Sequence, residues 1–168
     1  MANKEQNGES YYFTEKQRFK QWWLWLILFG LLCIPLYGII KQLVFHVPFG
    51  SKPLSDIGLL AFGLGMLLFC IFFRIMLLST IINKKFILIR FYPFVSKQIL
   101  WHDISEASLI TYGFVGYGIK LWTPYGTVYN IAGRWGLSLL LKNGKKYLVG
   151  TQKPDEIRIV LEKIKLKV

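Results

Sequence analysis

Two apolar stretches, residues 22–40 and 57–73, run without a single charged side chain. Each is close to the roughly 20 residues that a helix rising about 1.5 Å per residue needs to cross a bilayer core. A short polar loop separates them. The pattern predicts an α-helical membrane hairpin over residues 22–79, with spans at about 22–42 and 57–79. From Ser79 onward the spacing changes. Residues 80–92 are rich in Ile and Phe and read as one long strand that Pro93 ends. Residues 97–101, 104–111, 119–122 and 127–131 read as four more, separated by Gly and Pro breaks. Residues 137–142 and 145–149 flank Asn143-Gly144, the preferred pair for a type I′ hairpin turn. A closing helix starts at Pro154, with Asp155 and Glu156 in its first turn. Ile157, Val160, Leu161 and Ile164 form its single apolar stripe.

This divides the chain into an N-terminal tail (1–21), the hairpin (22–79) and an α+β domain (80–168). Seven or so antiparallel strands and one C-terminal helix predict a small bent sheet or barrel capped by that helix. Composition agrees: of 168 residues 54% are hydrophobic and mean hydropathy is +0.40, as a two-span protein requires. Cys33 and Cys70 both fall in the apolar runs and read as core residues, not as a disulfide or metal pair.

Net charge is +12. Lys16, Arg18 and Lys20 precede the first span, and Lys84, Lys85 and Arg90 follow the second, while the loop between carries Lys41 and Lys52 against Asp56. That bias predicts both termini in the cytoplasm. The first span is too long, and lacks the small-residue pattern, for a cleaved signal peptide. Trp22, Trp23 and Trp25 open it as an interfacial belt. Arg74, at the end of the second span, is expected to snorkel to the headgroups. Gly58, Ala61 and Gly65 are the expected helix-packing positions.

Catalytic chemistry finds little support. His102-Asp103 is the only His–carboxylate neighbour pair, and on a strand the two would point to opposite faces. No serine or cysteine sits in a nucleophile elbow. The two histidines, His46 and His102, fall on opposite sides of the expected membrane, so no metal site and no cofactor is expected. The glycine run 113–118 lacks phosphate-loop spacing and reads as bends and bulges. The cations are spread among strands, which argues against nucleic acid. Lys84, Arg90, Lys120 and Arg134 are candidates for anionic headgroups. Tyr112, Phe114, Tyr117, Trp122, Tyr125, Tyr129 and Trp135 gather around the glycine breaks, either as core or as a docking surface.

The segments Ile99-Leu-Trp-His-Asp-Ile104, Gly116-Tyr-Gly-Ile-Lys120, Gly133-Arg-Trp-Gly136, Leu141-Lys-Asn-Gly-Lys145 and Gly150-Thr-Gln-Lys-Pro154 carry a resemblance. Over roughly residues 57–168 the chain resembles the bacterial pleckstrin-homology-like domains, which often sit behind two transmembrane helices in small membrane proteins. The resemblance implies the fold and the setting and transfers no catalytic residue. Together these readings point to a non-enzymatic, multi-pass protein of the bacterial inner membrane. Its domain is expected to bind a protein partner or a second copy of itself, in the first case as an accessory subunit of a membrane complex; the alternative is an anionic-lipid-binding module.

Overall fold

The computed structural model describes residues 5–6, 9–113 and 116–165. The chain forms two compact units, Met1–Arg18 with Met76–Val168, and Phe19–Ile75.

The second unit is a pair of helices. α1 (Trp22–Ile39) continues through a π-helical turn, Ile40–Val44. α2 covers Asp56–Ile75. Both are long and apolar enough to cross a membrane. Leu, Ile and Phe dominate both helices, and Leu is among the better helix formers. Pro35 lies inside α1 without ending it. At the loop end, Gln42 ties the hairpin: its Nε2 donates to the Leu54 carbonyl at 2.9 Å and to Asp56 Oδ1 at 2.7 Å. The expected second span was four residues too long, because Leu77 already begins a strand.

The first unit holds two five-stranded sheets and a helix. β1 (Glu5–Gln6), β2 (Glu9–Gln17), β3 (Leu77–Asn83), β4 (Phe86–Tyr92) and β5 (Val95–Leu100) form an antiparallel meander. The second sheet contains β6 (Ile104–Thr111), β7 (Gly118–Thr123), β8 (Gly126–Asn130), β9 (Trp135–Leu141) and β10 (Lys146–Thr151), in the order β6-β9-β10-β8-β7. All its pairings are antiparallel except β8 with β10. α3 (Pro154–Lys165) packs on β6, β9 and β2 through Ile157, Val160 and Leu161.

Three expectations are corrected. The described strands number ten, not seven. Residues 80–92 are two strands, because Asn83 Oδ1 accepts the amides of Lys85 and Phe86 and turns the chain back at Lys84-Lys85. Most consequentially, residues 9–17 are not a tail: β2 pairs along β3, with Phe13 opposite Ile82 and Gln17 opposite Leu78. The hairpin is therefore an insertion between two neighbouring strands of one sheet.

The inner face of the first sheet contributes Phe13, Leu78, Ile82, Ile87, Ile89 and Phe91 to the core. β10 is buried on both faces, as a central strand should be. Tyr147 points one way, under the Lys97 ammonium 4.4 Å from its ring centre. Leu148 points the other way, into a cluster with Tyr112 and Val128. The Asn143-Gly144 turn forms, but not as type I′. Only Gly144 takes a positive φ (+80°), and its N–H closes the turn on the Leu141 carbonyl at 2.9 Å.

Candidate functional site

The four candidate headgroup cations do not converge. Lys84 sits in the β3–β4 turn, and Arg90 on the exposed face of β4, opposite Ser79. Lys120 lies on β7, and Arg134 just before β9. β7 and β9 are separated by β8 and β10, so three strand spacings of about 4.8 Å divide them. All four side chains are exposed, but the fold does not assemble them into one pocket. Lys84 and Arg90 do not lie on one strand, because a turn stands between them.

Within the helical unit, Trp22 and Trp23 are exposed at the start of α1, and Trp25 Nε1 donates to the Phe19 carbonyl at 2.9 Å. Arg74 is exposed in the last turn of α2. The expected packing positions are displaced: Ala61 and Gly65 are exposed, and a Cβ on Gly58 would meet only Ser55 and Leu54, beside its own helix start. The buried line on α2 is Leu59 and Gly63, continuing at half-buried Met66 and Cys70. On α1, Pro35 lies beside Gly63 and the Leu28 carbonyl beside Cys70, while buried Gly38 lies under Phe49. The small-residue spacing was real but set two residues out of phase with the contact face.

His102 and Asp103 do meet. They lie on a 3₁₀ turn, not a strand, and His102 Nε2 is 3.1 Å from Asp103 Oδ1. Both are well exposed, and the Asp103 backbone carbonyl accepts the Lys142 N–H. In open solvent a pair like this is a surface contact worth little. Among the described residues no cluster of three or more His, Cys, Asp or Glu could hold a metal. Part of the glycine run, residues 114–115, lies outside the described residues, and Phe114 with it.

The aromatic cluster splits. Tyr112 and Tyr129 are buried, and Tyr125 packs edge-on against Tyr112 with ring centres 6.1 Å apart. Burial pushes the Tyr112 hydroxyl pKa up to about 12, and raises that of Tyr129, with the neighbouring Tyr147 adding to the effect. Trp122 is the opposite case. Its residue is 96% exposed and its φ is +54°. The cause is a bulge: Lys120 pairs with Val128 and Thr123 with Gly126, so Leu121 and Trp122 oppose Thr127 alone. The adjoining turn is braced, with Thr123 Oγ1 donating to the Gly126 carbonyl at 2.8 Å and accepting the Tyr125 N–H at 3.1 Å. Leu121 is exposed beside it.

The structure adds a group that pattern reading missed. Glu15 on β2 is 5% exposed. Its Oε2 accepts from Thr151 Oγ1 at 2.7 Å, and its Oε1 from the Gln152 N–H at 2.8 Å. Gln17 Nε2 donates to the Gly150 carbonyl at 2.7 Å. These bonds latch β2 to the end of β10 in the other sheet. The signal was the alternation Phe13, Glu15, Gln17, whose last two inward positions are polar and so disguise a strand as a soluble tail.

No protein-family model and no curated protein matches the chain.

Proposed function

We propose that the chain is a non-enzymatic, membrane-anchored interaction module. The β-domain, of the pleckstrin-homology-like kind, binds a protein partner or a second copy of itself beside the membrane. The observation that carries this reading is the Leu121–Trp122 bulge. A tryptophan exposed at 96% and held at φ +54° costs both solvation and backbone strain. Large exposed aromatics of this kind are the residues that anchor interface centres. The fold class, with two mostly antiparallel sheets and a C-terminal helix, is compatible with the pleckstrin-homology-like reading.

The setting we propose is the bacterial inner membrane with both termini cytoplasmic. Two features support it. The cations flanking the hairpin exceed those in its loop. The strand before α1 also pairs with the strand after α2, which requires both ends of the hairpin on one side.

The test is site-specific photo-crosslinking from position 122 in the full chain in its native membrane. A stoichiometric adduct to a protein, or to a second copy, supports the module. Adducts to lipid alone overturn protein docking and favour the lipid-binding alternative.

A further inference from the structure

The strand directions of the second sheet bring two of its turns together at one end. β8 runs parallel to β10, with Thr127 opposite Tyr147. Gly126, which opens β8, therefore stands beside Lys146, which opens β10: a Cβ on Gly126 would lie 2.6 Å from Lys146 Cβ. β7 ends where β8 begins, and β9 ends where β10 begins. The β7–β8 turn, with the Leu121–Trp122 bulge, thus adjoins the β9–β10 turn, which carries Lys142 and Lys145 and leads into Lys146.

Lys142, Lys145 and Lys146 are exposed, and among the described residues none of them forms an ion pair. Lys120, also exposed, precedes the bulge on β7. From residue 107 to residue 154 the chain carries six cations and no acid. The acids nearest along the sheet are on the β6 side. Asp103 lies against His102. Glu106 is opposite Leu140, two strand spacings, or about 10 Å, from β10. A second copy of this chain is a poor occupant for such a surface. An isologous contact centred on Trp122 would set Lys120, Lys142, Lys145 and Lys146 against the same residues of the other copy, and like charges face to face oppose association. A heterologous contact would need an acidic patch. In this unit Glu15 is buried in the latch, and Asp103, Asp155 and Glu156 lie against His102, Arg158 and Lys153.

We propose that this end of the second sheet binds an acidic segment of a different protein. An apolar side chain of that segment packs on Leu121 and Trp122, and its carboxylates face Lys142, Lys145 and Lys146. The proposal rests on the docking reading of the bulge and adds the partner's chemistry to it. The two kinds of residue divide the work. The tryptophan is the anchor, because aromatic side chains that become buried at an interface centre carry much of the binding energy. The lysines form the rim. They select an acidic partner over a basic one and speed its arrival, and salt screens their effect.

The experiment places a photo-crosslinking amino acid at position 121 of the full chain in its native membrane, which leaves Trp122 in place, and sequences the attached peptide by mass spectrometry. The expected adduct is a segment of another protein with a clear excess of Asp and Glu over Lys and Arg. That segment is then synthesised, together with a copy carrying Asn and Gln for its Asp and Glu. Both are titrated against the full chain in nanodiscs of phosphatidylcholine. The K142Q/K145Q/K146Q variant should bind the acidic peptide about tenfold more weakly, about twofold per cation, and should bind the neutral copy as wild type does. K153Q/K163Q, which removes two cations from beyond the other end of β10 and from α3, should leave the affinity within about twofold. Trp122→Gly, which keeps the left-handed backbone accessible, should cost about thirtyfold. A neutral or basic segment, an adduct to a second copy, or equal affinity in the triple lysine variant would overturn this proposal and leave protein docking at the bulge standing. Adducts to lipid alone, no adduct, or a Trp122→Gly variant that binds like wild type would overturn docking at the bulge itself.

Discussion

Replacing Glu15 by alanine should release the N-terminal strand while leaving the rest of the domain folded. Both carboxylate oxygens are used, one by Thr151 Oγ1 and one by the Gln152 N–H. Thr151 Oγ1 is itself an acceptor for the Lys153 N–H at 3.0 Å, so its proton has one direction left, toward Glu15. Hydrogen bonds to charged groups contribute about 1.5–3 kcal/mol each. The two share one carboxylate and do not add fully, so about 3 kcal/mol is a fair total. In Glu15→Ala the hydroxyl of Thr151, 1% exposed, also loses its acceptor. Local opening of β2 should become about 150-fold more frequent, at about 1.4 kcal/mol per factor of ten. Hydrogen–deuterium exchange on the full chain in detergent reads this directly, with β2 and its β3 partners accelerated and β9–β10 little changed. Glu15→Gln should fall between, because its amide oxygen can serve only one donor while its NH₂ meets the other. Exchange of β2 in Glu15→Ala within about threefold of wild type would refute the latch.

Further outcomes follow from single positions. Gly126 has φ +78° and stands where a Cβ would collide with the Lys146 backbone carbonyl. Gly126→Ala should therefore cost about 3 kcal/mol or more in thermal unfolding, against about 1–2 for Gly144→Ala, where φ is +80° but the space is open. In the hairpin, a Cβ on Gly63 would lie 2.9 Å from Ile39 Cδ1, whereas one on Gly65 would meet nothing within 4 Å. Gly63→Leu should thus lower the thermal midpoint in detergent and Gly65→Leu should not, and the reverse order would revive the Gly58–Ala61–Gly65 face. Tyr112 keeps its proton to about pH 12 in the folded state, against an ordinary value near 10. Its contribution to stability is complete below pH 10 and is lost as pH climbs from 10 to 12. Phenolate absorbance should show a late-titrating tyrosine, and Tyr112→Phe should lessen the alkaline loss.

Much of the second sheet was legible because its strands are short and are cut by glycine. The strands now numbered β6 to β10 and helix α3 all fall near their expected positions. The first sheet was harder to read. Nothing in the run of Ile and Phe around Lys84-Lys85 marks a turn except Asn83, whose side-chain oxygen caps it. β2 was hidden twice over: its partner lies across a helical hairpin, and its inward positions include Glu15 and Gln17, which pattern reading assigns to solvent. Strand register sets Lys16 and Arg90 on either side of Ser79. Lys16 could be found only once β2 was known to be a strand.

The insertion of the hairpin between β2 and β3 also governs when the sheet can be completed. Joining those strands through a flexible loop of about 60 residues would cost about 4 kcal/mol of closure entropy. That exceeds what the Glu15 latch contributes. A formed hairpin removes this cost, because antiparallel helices return the chain close to where it left. β3 to β5 and the second sheet lie wholly C-terminal to the hairpin and can pair without it. β2 cannot. The polar character of its buried face fits that order: Glu15 and Gln17 keep the segment soluble until the hairpin has formed, then find their partners at Gly150, Thr151 and Gln152. On this argument the buried carboxylate serves a strand that must wait, and an apolar residue at position 15 would gain burial energy only by making the waiting strand prone to aggregate.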